Sequence, residues 1–173
     1  MHLVRFADVS RESTFAGAGR VRHPDLPALF NELIRFEIEL WNAVDARLRA
    51  DCDLLLSRFE PMQVMSRRIP CRVQDIAEEL SITIGGVSKL VDRIEEAGHC
   101  RRRPNPKDKR SSLIELTRAG RQLLTIATAA FEDELHNRLG SAVPAASLRQ
   151  FSTTLTALRS AGRRADTTEG QPQ

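Results

Sequence analysis

The sequence predicts a mainly α-helical protein with a small β-hairpin wing, that is, a winged helix-turn-helix flanked by N- and C-terminal dimerisation helices. Three observations lead there. Apolar residues recur at helical spacing along most of the chain. Two short helical segments meet at a tight turn between Leu80 and Thr83. A proline-containing turn follows, RRRPNPKDKRSSLIEL from Arg101 to Leu116, with six basic residues around it.

Residues 1–23 show little periodicity and read as an N-terminal arm that orders against a partner. Residues 24–53 read as a dimerisation helix, with Pro27 tolerated in its first turn. Leu26, Leu29, Phe30, Leu33, Ile34, Leu40, Trp41, Val44 and Leu48 form its main stripe. Phe36 and Ile38 fall off that stripe, so the helix has a second apolar face to cover.

The winged helix-turn-helix lobe is expected over 54–116. Ser57 and Glu60 stand at capping-box spacing and open a short helix. Val73, Ile76, Ala77 and Leu80 share one face of the next. Ile82 is expected to plug the core while Thr83 caps a helix carrying Ile84, Val87, Leu90, Val91 and Ile94, stopped by Gly98. Two strands then flank the basic turn. Residues 117–162 hold the C-terminal dimerisation helices, the first capped by Thr117, and the polar residues 163–173 read as a disordered tail.

Charge gives the helical pair a function. Between Gly98 and Gln122 eight Lys or Arg face only Asp108 and Glu115, so the remainder of a chain with net charge +3 is negative. Like charges in a tight turn repel, and folding alone gives no reason to collect them. Phosphate neutralisation does, and an arginine at the tip of a hairpin suits a narrow minor groove. Asp108, two residues before Arg110, is placed to hold that guanidinium as a bidentate pair. On the preceding helix Val87, Leu90, Val91 and Ile94 point inward. Gly85, Gly86, Ser88, Lys89 and Arg93 remain on the outer face, which fits a major groove. An amphipathic helical pair with a merely solvated polar face is the competing reading, and the basic hairpin counts against it.

Other function classes find little purchase. GxSxG, HExxH and GxxxxGK[ST] are absent, and the four histidines lack ligand spacing, so no catalytic, metal or cofactor residues are expected. Cys52, Cys71 and Cys100 are too few and too far apart for a disulfide framework. With no signal-peptide pattern and no membrane-length apolar run, a cytoplasmic protein without membrane contact is expected.

The stretch DIAEELSITIGGVSKLVDRIEEAG followed by RRRPNPKDKRSSLIELTRAGRQLL resembles the DNA-binding lobe of the MarR family of bacterial regulators. The carrying motifs are Leu90-Val91-Asp92-Arg93-Ile94, Glu96-Ala97-Gly98, Pro104-Asn105-Pro106, Asp108-x-Arg110 and Leu116-Thr117-x-x-Gly120. They stand in family order over about Leu54 to Leu124. The resemblance implies a homodimer that binds double-stranded DNA at a palindromic operator as a repressor. Its expected contacts are Thr83, Gly85, Gly86, Ser88, Lys89, Arg93, Arg103, Lys107, Asp108, Lys109 and Arg110. It also implies release by a small phenolic or aromatic-carboxylate effector at the seam between the first helix and the lobe, with Arg35, Phe36 and Trp41 as candidates. His99-Cys100 replaces the family's usual aliphatic pair. An architectural DNA-binding protein without effector, a redox sensor using Cys52 or Cys100, and an interaction module using the helical ends alone are the alternatives.

Overall fold

Asp25 opens the first helix, α1 (Leu26–Cys52), by accepting the Ala28 N–H at 3.3 Å, with Pro27 in the first turn. The computed structural model describes residues 25–108 and 110–169, of which 163–169 by backbone alone. The expected N-terminal arm lies outside the described residues. Only the C-terminal half of α1 enters the core, through Val44 and Leu48. Leu26, Leu29, Phe30, Ile34, Phe36, Ile38 and Trp41 remain exposed along the other half.

Helix α2 (Leu56–Arg67) starts at Leu55, which offers no side-chain cap. Asp45 of α1 accepts the Leu56 N–H instead, at 2.8 Å. A neighbouring helix thus satisfies the orphan donor, and the expected Ser57–Glu60 capping box does not form. Phe59, Met62, Val64 and Met65 are buried, and the Phe59 ring packs on Phe131 with centroids 5.0 Å apart.

Helices α3 (Val73–Leu80) and α4 (Ile84–Glu96) form the helix-turn-helix. Asp75 anchors the start of α3 by accepting the Arg72 N–H at 2.7 Å, and hydrogen bonding from Arg72 holds its carboxyl below the usual aspartate range. At the turn Ser81 takes the left-handed conformation, φ 57°. That bend leaves Ile82 42% exposed, so it does not plug the core as expected; Leu80 packs there instead. Thr83 caps α4 as anticipated, its hydroxyl accepting the Gly86 N–H at 3.2 Å. Val87, Val91 and Ile94 are buried beneath it, while Leu90 is half-buried.

Strands β1 (Cys100–Pro104) and β2 (Ser112–Leu116) pair antiparallel from Cys100↔Leu116 to Pro104↔Ser112. The lobe locks to the hairpin where the Ile114 N–H donates to the Cys71 carbonyl at 2.8 Å. Cys100, Ile114 and Leu116 face the core. Helix α5 (Arg118–Leu135), capped by Thr117, packs along α1 and buries Leu124, Ala127 and Ala130. A π-helical turn (His136–Gly140) leads toward α6 (Ala145–Glu169). This last helix continues into the segment expected to be a disordered tail: its backbone stays helical to Glu169, and residues 170–173 lie outside the described residues.

Cys71 and Cys100 belong to the core at 1% and 2% exposure. Burial pushes both thiols up to about 11, with further upward pressure from Asp75 and Glu95 respectively. The base of the hairpin is dry despite the His99-Cys100 replacement. A neutral thiol is a poor nucleophile, so iodoacetamide at pH 8 should modify the half-exposed Cys52 first and reach Cys71 and Cys100 only in denaturant. Because the folded thiols hold their protons longer than the unfolded ones, their contribution to stability is complete below pH 9 and lost between about pH 9 and 11. Tyrosine is absent from the chain, so no phenol contributes to that loss. Denaturant midpoints measured across that range should fall.

Two glycines should answer alanine with opposite signs. A Cβ on Gly120 would stand 1.9 Å from the His99 carbonyl oxygen, whereas one on Gly85 would meet nothing within 4 Å. Gly120→Ala should cost about 2–3 kcal/mol of unfolding free energy. Gly85→Ala should gain up to about 1 kcal/mol, as glycine is a poor helix former. Urea titration of the two variants measures both.

Candidate nucleic-acid interface

The three buried residues of α4 fix which side turns outward. Gly85, Lys89 and Arg93 are exposed on that side, with Gly86 and Ser88 half-exposed and Thr83 exposed at the cap. The residues expected on the outer face of α4 therefore share one side of it. No positive φ and no close neighbour requires glycine at 85, so the free protein has no steric need for it.

The wing differs from expectation in how its charge is used. Arg101 and Arg103 both reach Glu115 Oε2, at 3.2 and 3.0 Å. Arg102 pairs with Asp92 at 2.6 Å and with Glu95. Half of the basic cluster thus has partners inside the fold, including Arg103, which was expected on DNA. Cross-strand geometry puts Glu115 directly opposite Arg101. These exposed pairs with Glu115 are worth about 1 kcal/mol or less, so they can be exchanged for another anion.

Asp108 does not hold the Arg110 guanidinium. Its Oδ1 accepts the Arg110 backbone N–H at 3.0 Å. Asn105 does the same for Lys107 at 3.0 Å, and its amide donates to Ser111 Oγ at 2.9 Å. A carboxylate or amide two residues before an N–H naturally makes this local turn, so the motif shapes backbone and leaves the arginine side chain outside the pair. Lys109 lies outside the described residues. Among the described residues, Lys89, Arg93, Lys107 and Arg110 enter no ion pair.

The ligand candidates are not brought together. Phe36 lines a groove of about 340 Å³ with Leu139, Val143, Leu148 and Phe151. Trp41 lies on a separate shallow surface with Glu37, Ile38 and Asn42. Arg35 points to solvent, 3.9 Å from Glu32. None of them is at a seam with the lobe, because α1 enters the core through Val44 and Leu48, farther along the helix. A cavity of about 230 Å³ that the sequence did not announce lies between the end of α2 and β2, lined by Met65, Ile69, Pro70, Leu113, Leu116 and Arg121 among others. Its walls come from three separate segments, which no local pattern connects. Asp92, Glu95 and Glu115 were also missed as partners, although their charge and spacing on α4 and β2 were readable signals.

Comparison with known proteins places this lobe. Residues 56–112 match the model of the MarR family. An uncharacterized HTH-type transcriptional regulator of Bacillus subtilis, YkoM, is 32% identical over 68 residues, which cover 39% of this chain and 44% of that protein. A second from the same species, YfiV, is 24% identical over 71 residues, 41% of this chain and 44% of the relative. The chain thus spans less than half the length of these two relatives in its matches. Among solved structures, the MarR family regulator Sco3205 from Streptomyces coelicolor, in complex with DNA, superposes with a TM-score of 0.74 at 18% identity, covering 83% of this chain and 91% of that one. E. coli MarR complexed with operator DNA gives 0.72 at 19% identity, covering 78% and 95%. CouR from Rhodococcus jostii bound to p-coumaroyl-CoA gives 0.66 at 24% identity, covering 78% and 91%. These likenesses concern the fold. Among the described residues no helix is long and apolar enough to cross a membrane. Residues 56–112, with the winged helix that they build, are thus similar to the MarR family over about a third of this chain.

Proposed function

We propose that this protein is a transcriptional regulator, not an enzyme, that binds duplex DNA as a homodimer, with α4 in the major groove and the wing beside the adjacent minor groove. The observation that carries the reading is the set of cations that enter no ion pair among the described residues, Lys89, Arg93, Lys107 and Arg110, on the exposed side of α4 and the wing turn. Structures of similar fold hold DNA. Exposed apolar residues on α1 and on α6 (Phe151, Leu155, Leu158) support a second copy as the cover for both helices. A two-fold dimer reads a palindrome, and repression follows if that palindrome overlaps a promoter. Sedimentation at micromolar concentration should give a dimer; a folded monomer there refutes the assembly.

Release by a small aromatic ligand belongs to the same proposal. The similar CouR holds p-coumaroyl-CoA, and the groove at Phe36 and Phe151 offers an apolar, aromatic wall. Loss of DNA binding with p-coumarate or salicylate at millimolar concentration would separate this reading from an architectural role. The redox alternative, which would use Cys52 or Cys100, has less support, since Cys100 is buried and burial pushes both thiols up.

Genomic fragments retained by the protein supply the specific duplex, and titration at several salt concentrations tests the surface. Lys107→Ala should weaken specific and random duplexes alike, flattening the salt slope by about one. Lys89→Ala should reduce the preference for the retained duplex by about 1–3 kcal/mol. Asp108→Ala should weaken binding although it removes a negative charge, because the wing turn loses its hold on the Arg110 N–H. Asp108→Asn retains an oxygen for that bond and should keep most of the affinity; were the carboxylate needed to orient a guanidinium, Asn would fail as Ala does.

A further inference from the structure

We infer that Arg102 is a positioning residue for DNA recognition, clamping the wing to the recognition helix so that the two reach the duplex at a fixed angle. The inference rests on the proposed DNA binding and assigns within it a part to a residue that does not touch the nucleic acid.

Arg102 sits in the middle of a run of three arginines, yet strand alternation separates it from its neighbours. Arg101 and Arg103 share the face of Glu115, whereas Arg102 stands opposite Ile114, which is buried. Its side chain therefore turns toward α4. The Arg102 backbone N–H donates to Glu95 Oε1 at 2.7 Å, and its Nη1 donates to Glu95 Oε2. Its Nη2 lies 2.6 Å from Asp92 Oδ1 and 3.5 Å from the Ser88 carbonyl oxygen, to which it donates. Ser88, Asp92 and Glu95 follow one another at i, i+4 and i+7, so they form one stripe along two turns of α4. Lys89 and Arg93 lie one residue beyond that stripe, on the outward face. A single planar fork thus grips the recognition helix alongside the residues it presents.

Charge and shape both separate this arrangement from a phosphate contact. Two carboxylates against one guanidinium leave the cluster negative, which is unfavourable next to a phosphate. The guanidinium side chain is only 27% exposed, and its donors are directed to three acceptors on α4. Lysine carries the same charge but lacks the rigid fork that spans two turns.

The test uses the full chain, with the duplex it retains from genomic fragments and a random duplex of equal length, titrated across salt well below the melting transition of each variant. Arg102→Lys should lower the ratio of specific to random affinity by about tenfold, with the salt slope unchanged. Asp92→Asn keeps the Glu95 bonds and so the fold; it too should lower that ratio, although it removes a negative charge from the DNA side. Three results would overturn the clamp: a slope flatter by about one in Arg102→Lys, an unchanged ratio in both variants, or tighter binding of both duplexes by Asp92→Asn. If the unaltered chain retains no duplex at all, the DNA-binding proposal fails and the clamp falls with it. Binding by the unaltered chain with any of the three results removes the clamp alone.

Discussion

One hydroxyl group joins the two halves of this molecule. Thr117 Oγ1 donates to the Gly98 carbonyl at 2.7 Å and accepts the Gly120 N–H at 3.0 Å, while the Thr117 N–H donates to the His99 carbonyl at 3.0 Å. Four elements end or begin within that knot: α4, β1, β2 and α5. Gly98 turns the chain at φ 77°, where a side chain is strained. Gly120 lets α5 pass against the His99 carbonyl with no room for a Cβ. The recognition helix, the wing and the helix that packs on α1 therefore take their mutual placement from a few backbone contacts, with the apolar core filling in behind.

This knot explains why so much of the fold could be read in advance. Glu96-Ala97-Gly98 and Leu116-Thr117-x-x-Gly120 are short motifs with definite backbone requirements: a left-handed turn, a hydroxyl cap, a close approach. Thr83 at the head of α4 is of the same kind. The features that failed did so for different reasons. Ser57 looked like a cap, but the helix already begins at Leu56, whose N–H is taken by Asp45 on another helix. Ile82 looked like a core residue because it is apolar between polar neighbours, but the left-handed Ser81 turns it outward. Polar composition at the C-terminus argued for disorder, and the helical backbone from Ala145 to Glu169 shows that composition alone does not end a helix already begun.

The candidate surface was legible in its location and less so in its wiring. Counting charges found the wing, since a surplus of cations in one segment needs no knowledge of contacts. Counting did not reveal that Glu115, Asp92 and Glu95 come to meet three of the arginines, because pairing requires strand register and helix phase together. The wing is thus a divided object. Its strands have their charge balanced from within, and its turn, shaped by Asn105 and Asp108, carries charge outward. Along α1 and α6, by contrast, apolar residues are left exposed at helical spacing.

The division also falls along residue type. Of the 26 basic residues only three are lysines, Lys89, Lys107 and Lys109. The first stands on the exposed side of α4 and the second on the wing turn, while the basic side chains of α1, α5 and α6 are arginines. Apart from the amino terminus, the chain's primary amines are thus concentrated where the nucleic acid is proposed to lie. Acylation, which erases the charge of an amine and leaves a guanidinium untouched, would strip cations from that face alone and spare the helices that hold the molecule together.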